Sequence, residues 1–189
     1  MRFGPIAVKD REGRDIVLRS ARVEDSAILV QYLKKTAAET CYLLREPEEA
    51  DIPLEREESF IKWNLESPKD LMLLAFLDGQ HVGNCSVSGK GPLRRVSHRC
   101  EIGIALYQRF CGCGIGTIML ETVLEAAKDM GYEQAELEVV ALTVFPDTVL
   151  QHLHRVFVVG QRGEIGVIRV VFAVRDGKIA AEPRVEGGI

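Results

Sequence analysis

Three alternating glycines stand where a strand-like run meets a helical pattern, in the segment Cys111-Gly-Cys-Gly-Ile-Gly-Thr117. Glycine adopts backbone conformations that other residues avoid, and it lets a ligand approach the main chain closely. The residues that follow, Ile118 to Met130, have helical spacing, so the glycines precede a helix N-terminus. Unpaired N–H groups and the positive end of the helix dipole lie at such a terminus. The segment therefore predicts a seat for a phosphate group.

Carboxylates on the flanking strands are the candidates for proton transfer. Glu101 lies on the opposite face from the three bulky residues of its run, Ile102, Ile104 and Leu106. A carboxylate there is a candidate general base, and an exposed or salt-bridged strand residue is the alternative. Glu136 and Glu138 alternate with apolar residues, which is the ordinary pattern of a half-solvated strand. Only Glu101 is therefore taken forward as a catalytic candidate.

Thiols and imidazoles offer a second kind of chemistry. Cys111 and Cys113 are candidates for a thiol nucleophile or, with His152 and His154, for a metal site. The Cys-x-Cys and His-x-His spacings are too tight for the usual zinc pairs, so the sequence predicts no metal.

Composition limits what the glycine segment can belong to. The chain has 189 residues, of which 47% are hydrophobic and 28% charged, as in a single soluble domain. A formal charge of −4 gives no electrostatic case for nucleic acid, so a phosphate ligand needs a local positive site. Five cysteines without a signal peptide predict reduced thiols and a cytoplasmic location. No apolar run is long enough to predict a membrane span.

The order of elements can be read along the chain. Residues 1–14 are predicted to be a loosely held leader, 15–175 a single domain and 176–189 a C-terminal tail. An Asp78-Gly79 pair between two extended runs predicts an antiparallel hairpin. With it the pattern predicts the order β-α-α-β-β-β-α-β, with elements at Asp15–Arg19, Val23–Thr40, Leu54–Glu66, Asp70–Leu77, His81–Val87, Ser97–Leu106, Ile118–Met130 and Gln134–Leu142.

This order and the glycine motif resemble the GCN5-related N-acetyltransferase (GNAT) superfamily. Its motif, [Gln/Arg]-x-x-Gly-x-[Gly/Ala], fits strictly from Arg109 to Gly114, and from Cys111 to Gly116 with the usual distance to the helix but a cysteine in first place. The second register is preferred for its spacing. The resemblance implies an α/β (α+β) fold with a mixed, mostly antiparallel central sheet, a parallel β-α-β unit around the glycines and flanking helices.

The resemblance also implies a cofactor and a reaction. Acetyl-CoA is the expected co-substrate, and an acetyl group moves directly to a primary amine of a small molecule or a protein, with Glu101 as base. Monomer and homodimer both stay open. The pantetheine arm is expected along the strand, beside the backbone of Ile104 and Leu106, and the pyrophosphate on the backbone N–H groups of residues 112–117. The expected cofactor-binding residues are Ile104, Ala105, Leu106, Cys111, Gly112, Cys113, Gly114, Ile115, Gly116 and Thr117.

The chain departs from the family after Leu142. Relatives continue with Asn-x-x-Ala-x-x-Leu-Tyr-x-x-x-Gly-Phe, in which the asparagine contacts the cofactor and the tyrosine is the general acid. Aligning Phe157 on the final phenylalanine places His152 at the tyrosine and leaves no asparagine. His152 is thus the candidate acid. Strong divergence and an altered reading frame both remain open, and the alternative function is a non-catalytic CoA-binding or regulatory module.

The acceptor is indicated only by charge. The segment Glu46 to Glu58 contains seven acidic residues, and relatives build part of their acceptor site there. It favours a cationic amine such as a polyamine, an aminoglycoside or lysine, and a solvated acidic loop and helix start is the alternative.

Overall fold

A single sheet carries the site. The computed structural model describes residues 1–40, 43, 45–141, 166–175 and 178–182, and for residues 138–141 and the last two ranges it describes the backbone. The described residues form one eight-stranded sheet in the order β1 to β8. The strands are β1 Ile6–Lys9, β2 Asp15–Ser20, β3 Leu71–Leu77, β4 Gln80–Gly89, β5 Arg99–Leu106, β6 Gln134–Ala141, β7 Gly166–Arg175 and β8 Lys178–Glu182.

The described part of the chain contains three α-helices, which flank this sheet. They are α1 Ser26–Glu39, α2 Leu54–Glu66 and α3 Ile115–Asp129, and short 3-10 turns cover Val23–Asp25, Pro47–Ala50 and Gln108–Phe110. No helix among the described residues is both long and apolar enough to cross a membrane.

Strand directions confirm the predicted fold class. β5 and β6 are parallel and joined by α3, whereas the other neighbouring pairs are antiparallel. The Asp78-Gly79 turn joins β3 to β4 as predicted, and Asp78 takes φ of 50° there. The three predicted helices and the strands around the glycines are all present, with ends that shift by a few residues.

The core has two layers because the strands alternate between two faces. On β3, Leu71, Leu73 and Ala75 pack with α3, in one cluster with Met119 and Val123. The intervening Met72 and Leu74 pack on the opposite face with Leu29 of α1 and Ile61 of α2. The sheet is thus covered by α3 on one side and by α1 and α2 on the other.

The expectation of a loosely held leader is wrong. Residues Ile6–Lys9 form β1, which pairs with β2 from Ile6↔Leu18 to Lys9↔Asp15. The N–H of Phe3 donates to Ser20 Oγ at 2.7 Å, and the N–H of Ser20 donates to the Phe3 carbonyl at 2.9 Å. The sequence pattern does not predict this strand, because an edge strand lies mostly in solvent and shows little alternation of hydrophobic and polar residues.

The expected C-terminal tail is corrected in the same way. Part of the range 176–189, residues Lys178–Glu182, forms β8 and pairs antiparallel with β7 from Val171↔Glu182 to Arg175↔Lys178. The sheet formed by the described residues therefore begins at Ile6 and ends at Glu182, outside the expected bounds of 15 and 175.

Candidate functional site

The glycine segment forms a turn directly before α3. Gly112 and Gly114 have φ of 84° and 86°, a left-handed conformation that only glycine adopts without strain. Gly114 is the N-cap residue of α3, and the N–H of Ile118 makes the first helical bond, to the Gly114 carbonyl, at 3.2 Å. The N–H groups of Ile115, Gly116 and Thr117 therefore have no partner within the helix and are available to an anion.

The structure shows a different physical reason for glycine at each of the three positions. A Cβ on Gly116 would lie 3.3 Å from Cδ1 of Leu106, so this glycine lets α3 approach β5. A Cβ on Gly114 would lie 2.7 Å from Cγ of Arg11 in the β1–β2 hairpin. A Cβ on Gly112 would meet nothing within 4 Å. Only Gly112 therefore faces the open space that the sequence argument assigned to all three.

Strands β5 and β6 pair only at their beginnings. The parallel ladder runs from Arg99↔Gln134 to Ile102↔Leu137, and the described residues after these have no pairing between the two strands. From there β6 continues its pairing with β7 up to Ala141↔Gly166. The second half of β5, Gly103 to Leu106, thus has a backbone edge without a ladder partner from β6.

Alternation along β5 shows which groups point to that edge. The N–H of Tyr107 donates to the Val82 carbonyl of β4 at 3.1 Å, so odd-numbered residues of this stretch direct their backbone groups toward β4. In agreement, the Ala105 carbonyl accepts the Tyr32 hydroxyl at 2.6 Å, and this hydroxyl in turn accepts the Asn84 N–H at 3.4 Å. The backbone groups of Ile104 and Leu106 therefore face the open edge, where an extended ligand arm can bind as an added strand.

Glu101 lies where the pairing of β5 with β6 is about to end, and it belongs to a charge cluster. Its carboxylate is 3.1 Å from Lys90 Nζ, and its side chain is 46% exposed. Glu101 stands directly opposite Glu136 in the parallel register, so both carboxylates lie on the same face of the sheet. Gly103, the next residue on that face, has no side chain and leaves the surface beside Glu101 open.

Glu136 is the residue that the sequence argument misjudged. It was interpreted as part of a half-solvated strand, yet its side chain is fully buried. Arg99 Nε donates to its Oε1 at 2.7 Å and Gln134 Nε2 donates to the same oxygen at 3.0 Å, while Lys90 Nζ lies 3.5 Å from Oε2. The two cations offset the repulsion between the two carboxylates. The only available signal was Arg99, a basic residue on the neighbouring strand.

An aromatic cluster lines the same face behind β5. Tyr32 packs edge-on against His81, with ring centroids 4.9 Å apart, and against Tyr107 at 5.3 Å. Burial raises the pKa of Tyr32, so its hydroxyl remains a donor to the Ala105 carbonyl. Burial also lowers the pKa of His81 to about 4, so this imidazole is neutral at physiological pH. Neutral, rigid groups thus support the β4–β5 pair.

The Cys111 thiol of the turn is not activated. Burial, and then the nearby Glu39 carboxylate, raise the pKa of the Cys111 thiol. Cys111 Sγ lies 3.8 Å from the Tyr107 carbonyl, and Cys113 Sγ lies 3.8 Å from the Cys111 carbonyl. A protonated thiol is a poor nucleophile, so the turn contributes backbone groups to the site.

The structure brings the expected strand and turn residues together and places Glu101 on the same strand. His152, the candidate acid, and His154 lie outside the described residues, as does most of the segment from Leu142 onward. Within the described parts of the chain, no group of three His, Cys, Asp or Glu side chains is arranged to hold a metal ion.

Solved structures of similar fold are acetyltransferases. An acetyltransferase of the GNAT family from Streptococcus pneumoniae has a TM-score of 0.72 and 23% identity, over 87% of this chain and 98% of that one. A ribosomal-protein-alanine N-acetyltransferase from Brucella melitensis has a TM-score of 0.66 and 18% identity, over 82% and 98%. A phosphinothricin acetyltransferase from Sinorhizobium meliloti, solved with acetyl-CoA, has a TM-score of 0.60 and 16% identity, over 74% and 72%.

At these identities the likeness establishes the fold alone. No curated protein sequence gives a significant match. The sequence itself matches the model of the Acetyltransferase (GNAT) family over residues 32–155, which is more than half of the chain and includes β5, the glycine turn and α3. The chain belongs to the acetyltransferase (GNAT) family.

Proposed function

We propose that the protein binds acetyl-CoA along β5 and transfers its acetyl group directly to a primary amine. The observation that carries this proposal is the edge of β5 beyond Ile102, which pairs with no other strand among the described residues. It leads from the glycine turn, past the backbone of Ile104 and Leu106, to Glu101. A phosphate seat at one end, an edge for an extended arm and a carboxylate at the other end match the parts of an acyl-CoA in order.

The proposed binding mode uses mainly the backbone. The N–H groups of residues 112–117 hold the pyrophosphate, and Cys111 precedes them in the turn. Ile104 and Leu106 pair with the pantetheine arm, while Ala105 stays bonded through its carbonyl to Tyr32. This arrangement directs the thioester toward the end of the β5–β6 ladder, next to Glu101.

The proposed chemistry begins at Glu101. Its carboxylate takes a proton from the acceptor ammonium, directly or through water, and the freed amine nitrogen attacks the thioester carbonyl carbon. A backbone N–H of β5 stabilises the oxyanion. The C–N bond forms, the nitrogen loses its second proton to solvent, the C–S bond breaks, and CoA leaves as a thiolate that takes up a proton. His152 as the donor of that proton stays a prediction from the sequence, as does a cytoplasmic location.

The acceptor is a proposal from charge alone. Within the acidic segment, the structure already engages several groups: Asp51 forms an ion pair with Lys34 at 2.7 Å, Glu49 accepts the Glu46 N–H at 3.0 Å, and Glu57 is buried. Glu46 caps the 3-10 turn with its side chain, and Glu58 pairs with Lys62 at 3.8 Å. Glu48 of that turn and Glu55 at the start of α2 face solvent, and α2 lies on the side of the sheet that carries Glu101. A cationic primary amine, of a small molecule or a protein, suits this surface.

The test separates an enzyme from a CoA-binding module. Calorimetry with acetyl-CoA measures binding, and release of free thiol is then followed with polyamines, aminoglycosides and lysine peptides. Glu101→Gln is expected to lower kcat about 100-fold and to leave acetyl-CoA affinity unchanged. Glu121→Gln, at an exposed position of α3, is the matched control and is expected to keep full activity.

Two results would change the conclusion. Binding without turnover on the whole panel would favour the module, which the missing asparagine and tyrosine motivate. Full activity of Glu101→Gln would remove Glu101 from the mechanism.

A further inference from the structure

The β1–β2 hairpin touches the glycine turn. The N–H of Arg11, at the tip of the hairpin, donates to the Cys113 carbonyl at 3.0 Å. The Arg11 side chain lies over Gly114, since a Cβ added to that glycine would be 2.7 Å from Cγ and 3.1 Å from Nε of Arg11. The first strand and the turn of this hairpin belong to the segment that was predicted to be a leader. The hairpin instead packs against the expected pyrophosphate seat and places a guanidinium group beside it.

A buried aspartate fixes the shape of the hairpin tip. Asp10 is 7% exposed, and its Oδ1 accepts the N–H groups of Glu12 and Arg14, both at 2.9 Å. Its Oδ2 accepts Arg14 Nε at 2.7 Å. The turn between β1 and β2 is thereby held in one conformation, so the backbone position of Arg11 is set before a ligand arrives.

Arg11 differs from the other cations of the hairpin in having no carboxylate partner. Arg14 forms ion pairs with Asp10 and Glu12, and Lys9 forms one with Asp15 at 2.7 Å. Within the described parts of the chain, Arg11 forms no ion pair, and its side chain is exposed. Although the chain has a net charge of −4, it thus places a guanidinium without a carboxylate partner beside the turn. Guanidinium groups bind phosphate oxygens in pairs, with geometric selectivity.

We propose that Arg11 is a binding residue for the pyrophosphate of acetyl-CoA. It acts from the hairpin, while the free N–H groups of the first turn of α3 act from the helix. This inference rests on the proposed binding of acetyl-CoA. Its consequence is that β1 and β2 are part of the cofactor site, although the glycine motif lies about a hundred residues later in the chain.

Calorimetry with three ligands tests the assignment. The ligands are acetyl-CoA, its 3′-dephospho form, which keeps the pyrophosphate, and S-acetylpantetheine, which has no phosphate. Arg11→Ala is expected to weaken both pyrophosphate ligands by the same factor, about 10- to 100-fold, as for a hydrogen bond to a charged group. Its affinity for S-acetylpantetheine is expected to equal that of the wild type. Arg11→Lys should recover part of the loss, because it restores the charge without the planar fork.

Arg56→Ala, which removes an exposed arginine from α2, is the matched control and should bind all three ligands like the wild type. Thermal unfolding of each variant checks the fold. Equal affinities of wild type and Arg11→Ala for acetyl-CoA would overturn the role of Arg11 and leave the proposed function standing. A loss confined to the ligand with the 3′-phosphate would also overturn it. Failure of the wild type to bind acetyl-CoA would overturn both proposals.

Discussion

The two ends of β5 carry the two halves of the proposed site, and these halves use different kinds of chemical group. At the C-terminal end, Leu106 leads to a turn whose binding groups are backbone N–H groups, exposed by left-handed glycines. At the N-terminal end, the functional groups are side chains, in which Lys90 and Arg99 balance Glu101 and Glu136. The first half depends on one short stretch of sequence. The second combines side chains of β5 with Glu136 of β6 and Lys90 of the loop after β4, so it forms only when the sheet is assembled.

The largest test of this contrast removes one charge from the assembled half. Glu136→Gln keeps the shape of the side chain but leaves Arg99 and Lys90 with one carboxylate fewer. Removing one member of a buried ion pair typically costs about 3 kcal/mol, so the free energy of unfolding should fall by that order. Urea denaturation measures it.

The matched control is Glu125→Gln on α3, where a carboxylate that is 62% exposed pairs with Lys128. A change below about 0.5 kcal/mol is expected there. If Glu136→Gln were equally mild, the cluster would be an ordinary surface network and the contrast between the two halves would disappear.

The fold was largely predictable because its signals are local. The Asp78-Gly79 turn, α2 and the glycine turn can each be recognised from about a dozen consecutive residues, and the structure contains all three. β1 was not predicted because an edge strand shows little of the alternation of hydrophobic and polar residues that identifies half-buried strands. The burial of Glu136 was not predicted, because its alternation with Leu137 looks the same in the sequence whether the carboxylate faces water or pairs with Arg99. Arg11 could not be foreseen, since its proximity to Gly114 joins segments far apart in sequence.

A second test uses pH to examine His81, the neutral imidazole in the aromatic cluster behind β5. Burial lowers the pKa of His81 to about 4, against about 6.5 in the unfolded chain. The unfolded state therefore binds the proton first as pH falls. The stability from neutral His81 is complete above pH 6.5 and is lost progressively toward pH 4. A loss of about 2 kcal/mol is expected between pH 6.5 and 4.5 from this residue.

The variant His81→Phe, which fits among the rings of Tyr32, Phe76 and Tyr107, should remove this part of the pH dependence. Urea denaturation across the range measures it, with His98→Gln as the control for the loss of a histidine elsewhere in the fold. Equal slopes for His81→Phe and wild type would show that His81 does not stay neutral in the folded protein.

A third test compares two glycines within the backbone half. Gly112 and Gly114 have nearly the same φ, 84° and 86°, but only at Gly114 would a Cβ collide with Arg11. Alanine at either position carries the strain of the left-handed conformation, about 1 kcal/mol. Gly114→Ala should cost about 1 kcal/mol more in the free energy of unfolding, because the hairpin tip must move. The double variant Gly114→Ala, Arg11→Ala should recover that difference. Equal costs for the two single variants would contradict the docking of the hairpin.

The smallest expected effect concerns the two thiols beside the glycines. Burial and the Glu39 carboxylate raise the pKa of Cys111, which keeps the thiol protonated near neutral pH. Direct transfer needs no enzyme nucleophile, whereas a relay through cysteine needs a thiolate. Cys111→Ala and Cys113→Ala should therefore each keep kcat/KM within about twofold of the wild type. A 100-fold loss in either variant, with an acetylated cysteine detected by mass spectrometry, would instead make the turn a chemical participant. Its role would then no longer differ in kind from that of the charge cluster at the other end of β5.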